Sequence, residues 1–162
     1  MKRQSTRIFS RGSVSSLWPF QSNFVLPRGV AVDSAGTVYF LDSNGNKIYR
    51  VSSGGVLSVL AGSGAPGTQD GQGIAATFNS PTSISVDSGG TAFAGDESHL
   101  IRKISASGNV TTIAGQAFVC GFADGAGNVA RFCVAQALAV DTAGSIYVAD
   151  LLNIRIRKIC GL

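Results

Sequence analysis

Residues Phe78–Gly115, FNSPTSISVDSGGTAFAGDESHLIRKISASGNVTTIAG, form one complete copy of a unit that recurs before and after it. Asp33, Asp87 and Asp141 stand 54 residues apart, as do Asp42, Asp96 and Asp150, and Phe24, Phe78 and Phe132 keep the same step. Self-similarity at this period means stacked modules, each of which needs a neighbour to cover its apolar faces.

Inside a unit the apolar residues come in short runs. In the first unit Val30–Val32 precedes Asp33-Ser34-Ala35-Gly36, an Asp-x-x-Gly turn in which the carboxylate bonds backbone amides. Val38–Leu41 is apolar at every position, which predicts a strand covered on both faces. Ile48–Val51 follows a turn rich in Asn and Gly, and Val56–Leu60 is the fourth run. The second unit gives Ile84–Val86, Ala92–Ala94, Leu100–Ile104 and Val110–Ile113, and the third stops after Leu138–Val140, Ile146–Ala149 and Ile154–Ile159. Runs of this length divided by turn chemistry predict an all-β array with antiparallel pairing inside each unit. Ala31, Ser85 and Ala139 lie between larger residues in the first strands, so one side there has room only for a small group. Ile154 and Ile156 alternate with Arg155 and Arg157, which predicts the isoleucines inward and the arginines outward.

Longer loops separate the units, and Asp70-Gly71-x-Gly73 recurs as Asp124-Gly125-x-Gly127. After each loop, Ala75–Phe78 and Val129–Phe132 are placed to make one helical turn that plugs the phenylalanine between units. Residues 7–17, RIFSRGSVSSL, match Arg102–Ile113 with one deletion, so residues 1–26 read as the last strand of a preceding unit plus a linker. The remaining divisions are unit 1 (27–62), a loop (63–80), unit 2 (81–115), a loop (116–134) and unit 3 (135–162), which lacks its last strand. Trp18 and Phe20 read as core plugs.

The chain has 162 residues, 21 of them Gly, and the glycines cluster where turns are expected, as at Gly54-Gly55 and Gly89-Gly90. Net charge is +4 with no run of like charges, so no acidic partner is demanded. No apolar run approaches the roughly 18 residues of a membrane span. Cys120, Cys133 and Cys160 make an odd count without metal-like spacing, and they do not recur: Cys120 stands where the other copy has Pro66, and Cys133 replaces Asn79. This pattern predicts no disulfide framework and no metal site.

The pattern Pro-x-x-Ile-x-Val-Asp-x-x-Gly-x-x-Phe/Tyr-x-x-Asp, followed by Ile-Arg-Lys-Ile and preceded by Asp-Gly-x-Gly, resembles the NHL repeat over about residues 7–160. The resemblance implies an all-β fold, an NHL-type β-propeller fragment of about three four-stranded blades in an open arc. Ala135 departs from the pattern where Pro27 and Pro81 keep it, and the second unit is one residue short between Asp96 and Ile104. Propellers of this family usually have about six blades, within the known range of about 4 to 8.

The aspartates recur three times, whereas an active site is one constellation. Asp33, Asp87 and Asp141, and likewise Asp42, Asp96 and Asp150, are therefore read as structural turn residues. His99 is the only histidine, so the several metal-binding histidines of propeller enzymes such as lyases have no counterpart, and it too is read as a turn residue. Gly62-Ser63-Gly64-Ala65-Pro66-Gly67 spells a dinucleotide fingerprint, but Pro66 and an Asp-Gly turn follow where a helix is required. The expectation is a non-catalytic scaffold without a cofactor that binds a protein or ligand. Its partner would be a protein, the remaining blades of a longer chain, or a second copy. The alternative is single-stranded RNA binding, which some NHL propellers show, through Arg102, Lys103, Arg155, Arg157 and Lys158. A gluconolactonase- or lyase-like enzyme is the third class.

Overall fold

The structure, a computed structural model, describes residues 24–161. The expected strand at residues 14–17, with Trp18 and Phe20, lies outside the described residues. Strands β1 (Pro27–Val32), β2 (Val38–Asp42), β3 (Lys47–Val51) and β4 (Leu57–Ala61) pair in chain order as one antiparallel sheet. In the loop before unit 2 lies β5 (Gly71–Gln72), and unit 2 itself holds β6 (Pro81–Val86), β7 (Ala92–Asp96), β8 (Ile101–Ile104) and β9 (Asn109–Ala114). The sheet order is β5-β9-β8-β7-β6, so the four expected strands of unit 2 are joined by a fifth from the preceding loop. The added strand is the Asp-Gly-x-Gly loop, whose Gly71 and Gln72 lie against Val110 and Asn109. In unit 3, β10 (Ala135–Val140), β11 (Ile146–Asp150) and β12 (Arg155–Ile159) form a three-stranded sheet. The helical turn in the first loop is a 3-10 turn at Gly73–Ala75, which overlaps the expected span only at Ala75.

The turn chemistry explains the strand spacing. Asp33 accepts the amides of Ala35 and Thr37 through Oδ1, and Asp87 accepts those of Gly89 and Thr91. Asp141 does the same with Ala143 and Ser145. Tyr39 and Tyr147, each the second residue of the following strand, donate their hydroxyls to Asp33 and Asp141.

The three sheets stack face to face with their first strands β1, β6 and β10 as neighbours. Between β6 and β10 the Ser85 hydroxyl accepts the Val140 amide across the seam at 2.9 Å. The first seam buries Tyr39, Leu41 and Ile48 of unit 1 against Ile84, Ala92, Ala94 and Ile104 of unit 2, with Phe78 fully buried. The second seam packs Phe93, Ile101 and Ala114 against Ile146, Val148 and Phe132.

One face assignment is reversed. Ile154 and Ile156 are 91% and 75% exposed, whereas Arg157 is 8% exposed. Ile156 stands at the strand position of Ile48 and Ile101, each fully buried by the next unit. Alternation identified the two faces correctly, but no described unit covers this one.

The turn into each third strand passes through the left-handed region, at Asn46 (φ 50°), His99 (φ 68°) and Ile154 (φ 54°). Gly62 and Gly115 then close the seam with φ of 101° and 98°, and a Cβ on either would strike the carbonyl oxygen of Asn46 or His99. Gly144 has φ 82° with open space around it. Gly144→Ala therefore isolates the backbone penalty, about 1–2 kcal/mol. Gly115→Ala should lose clearly more, read as the midpoint of urea unfolding at unchanged slope. Equal losses would mean that the His99 carbonyl yields freely.

Candidate functional site

The most elaborate polar constellation is at the seams, and it occurs twice. Arg102 on β8 is fully buried and lies 5.0 Å above the Phe78 ring. Its guanidinium donates to the Thr77 and Gln69 carbonyls at 2.9 and 3.0 Å and to Asp70 at 2.8 Å, with Asp96 at 3.7 Å. Arg157 on β12 repeats this with Phe132, the carbonyls of Arg131 and Ala123, Asp124 at 2.7 Å and Asp150 at 3.1 Å. Every partner is displaced by 54 residues. Unit 1 replaces the cation: Tyr49 holds this position and packs its ring 4.9 Å from Phe24 and 5.3 Å from Phe40.

The second aspartate set is tied into the same clusters. Asp42 accepts the amides of Val25, Leu26 and Gly45. Asp96 accepts Ser98 and Asn79, and Asp150 accepts the Cys133 amide and the Asn153 side chain. All three are at most 1% exposed. Burial raises the Asp96 carboxyl above its ordinary value, although Ser98 and Arg102 oppose it. Asp70 is pushed upward by its partial burial, but the Thr112 amide and Arg102 outweigh that and hold it low. Asp33 is also held low: the Thr37 amide and Tyr39 hydroxyl overcome its desolvation. Asp141 is held low chiefly by the Ser145 amide.

The five basic residues expected on one rim divide into two groups. Arg102 and Arg157 spend their guanidinium groups inside the seams, so they offer no charge to a strand on the surface. Lys103 is half-buried, and Arg155 and Lys158 are exposed. Arg155 lies 4.1 Å over Phe122, and Lys158 lies 5.2 Å from the centre of the Tyr147 ring. Tyr147, the counterpart of Tyr39 in the strand expected to be covered on both faces, is 36% exposed, because its face too is uncovered.

Beside Arg157 a groove of about 420 Å³ runs between Asp124–Gly127 and Lys158–Gly161. The corresponding space in unit 2 holds β9, whose Thr112 donates to Asp70 through both amide and hydroxyl. Asp124 is accordingly 77% exposed along its side chain, against 46% for Asp70.

The cysteine expectation is corrected. Cys120 and Cys133 form a disulfide with Cα atoms 4.5 Å apart, and Cys160 is free and exposed. The second loop doubles back on itself, with Gly121 donating to the Phe132 carbonyl and Ala123 paired with Arg131, which brings the two together. His99 joins them: its ligand atom and the two sulfurs all lie within 4.8 Å of one another. Its Nδ1 accepts the Val134 amide at 3.3 Å.

No family model and no curated protein matches the chain. Solved structures do. A structural genomics protein of unknown function from Bacteroides thetaiotaomicron superposes with a TM-score of 0.69 at 28% identity, over 76% of this chain and 32% of that one. An auxiliary nutrient binding protein from Bacteroides ovatus gives 0.69 at 26% identity, over 81% and 36%. Virginiamycin B lyase from Staphylococcus aureus gives 0.53 at 15%, over 82% and 37%, and shows the fold alone. The chain is an all-β partial propeller. Its three sheets are blades, and it spans about a third of the length of these structures.

Two measurements check the roles of the aspartates. Asp87→Ala should lose about 1 kcal/mol by leaving two turn amides without their cap. Asp33, Asp70 and Asp141 have folded values below the unfolded one of about 3.9. Their stabilisation is therefore present above about pH 4 and lost as pH falls through the folded values. Asp96, held high, contributes in the opposite direction. Asp70→Asn should lower stability at neutral pH and shrink the acid-dependent loss. A variant curve parallel to the parent's would show that Asp70 is not a source of that loss.

Proposed function

We propose that this chain is a non-catalytic propeller segment of the NHL type that serves as a scaffold for contacts with another blade-like surface. One observation carries the reading: the exposed end faces repeat, position for position, the faces that the chain buries internally. On blade 3, Tyr147, Ala149 and Ile156 stand where Tyr39, Leu41 and Ile48 meet blade 2. On blade 1, Val30 and Val32 are 67% and 58% exposed where Ile84 and Val86 pack in the first seam. Apolar patches of this kind are rarely left bare on a soluble monomer. A further blade, from a longer chain or a second copy, fits both ends. The likeness to a nutrient binding protein favours a binding role, and the recurrent aspartates are occupied by backbone amides.

Light scattering across a concentration series tests this. The parent should associate, and Ile156→Glu combined with Val30→Glu should remain monomeric while still folded. A folded parent monomer at all concentrations would overturn the reading.

A second reading, single-stranded RNA binding, is favoured by the exposed pairs Arg155–Phe122 and Lys158–Tyr147, which combine charge with a ring face. With about three cations the slope of log affinity on log salt should be about −2, at about 0.7 per phosphate contact. No binding to mixed single-stranded RNA at low salt would remove it.

A further inference from the structure

The two seams between the blades are built alike, and one group of neighbouring positions exchanges its chemistry as a set. The first seam has Asn46, Pro66 and Asn79, and the corresponding residues of the second are His99, Cys120 and Cys133. All three replacements supply an atom able to ligate a metal, two sulfurs and an imidazole nitrogen, and these atoms lie within 4.8 Å of one another. A disulfide accounts for the two cysteines but leaves the histidine unexplained. The structural duty at position 99 does not need imidazole, because Asn46 Oδ1 accepts the Ser80 amide at 2.8 Å as His99 Nδ1 accepts the Val134 amide.

We propose that Cys120, Cys133 and His99 form a redox-gated site for a soft d10 cation such as Zn²⁺. The oxidised form is the disulfide. A dithiol reductant delivers two electrons and two protons, becomes a disulfide itself and leaves two thiols facing the imidazole. The cation displaces the two thiol protons and binds two thiolates and one ring nitrogen, with a fourth position open to water. Two sulfurs at about 2.3 Å and one nitrogen at about 2.0 Å from the ion suit this ligand set. Cys133 is buried and its amide is held by Asp150, whereas Cys120 is exposed, so the ion enters from the Cys120 side. Exchange with an external disulfide, which takes up the two electrons, and two protons from water, to become a dithiol, would restore the Cys120–Cys133 bond and release the ion.

Loading has a consequence for the seam. Whichever ring nitrogen takes the ion, Nδ1 stops accepting from Val134: its lone pair is used by the ion, or it carries the ring proton. Metal and redox state would thereby reach the contact between blades 2 and 3.

The test uses the full chain reduced by a water-soluble phosphine, which ends as the phosphine oxide. Zn²⁺ uptake is measured in competition with a chromophoric chelator. The reduced chain should take up one ion and the oxidised chain none, and Cys120→Ser should abolish uptake. His99→Asn, which keeps an acceptor for Val134, should weaken binding by at least about tenfold. Cys160→Ser should leave binding unchanged. Co²⁺ provides a readout on the unmutated chain, where thiolate charge-transfer bands and tetrahedral d–d bands should appear together. No uptake by the reduced chain, equal uptake by His99→Asn, or loss of uptake in Cys160→Ser would each overturn the assignment.

Discussion

A guanidinium held away from water is tolerated only where its charge and its donors are met, since desolvation otherwise costs several kcal/mol. Arg102 and Arg157 satisfy that condition with one repeated arrangement: an aromatic ring below, two loop carbonyls, one loop aspartate and one buried strand aspartate. Much of each seam follows from it. The loop must return along the third strand to present its carbonyls, the phenylalanine must fill the space beneath, and the strand aspartate must lie within reach. Arg102 Nε has no hydrogen-bond partner, so even here satisfaction is not complete. Blade 1 shows the converse, with a stacked Tyr49 and Phe40 at the same place and no cation to neutralise.

The period was legible because backbone chemistry repeats more strictly than packing. An aspartate that caps two amides, and a glycine with positive φ, tolerate few replacements, so Asp33, Asp87 and Asp141 marked every first turn. Apolar runs then located the strands to within a residue or two, except that the first strand of each unit begins three residues before its run, at Pro27, Pro81 and Ala135. The 3-10 turn and the two-residue β5 were harder to read, because glycines that permit positive φ look alike in a loop and in a short strand.

Faces were less legible than strands. Ile154–Arg155–Ile156–Arg157 alternates as an edge strand with its charges in water would, yet Arg157 is the inward residue. Alternation separates two faces but cannot say which one meets protein. Here the decisive fact is three-dimensional, the return of Asp124 and the Ala123 carbonyl to the arginine. The disulfide was hidden for a similar reason: Cys133 follows Cys120 by 13 positions, and only the doubled-back loop makes them neighbours.

The two ends of the arc are not copies of each other. One presents Val30 and Val32, the other Tyr147 and Ile156, and inside the chain the first kind always meets the second. Contact between chains would therefore be heterologous, head to tail, with no patch that pairs with itself. Such a contact has only two outcomes. It closes when the turn per chain divides a full circle, and otherwise it propagates as a helical filament. The angle between successive blades, where β1, β6 and β10 lie side by side, would then decide whether copies of this arc make a finite ring or an open polymer.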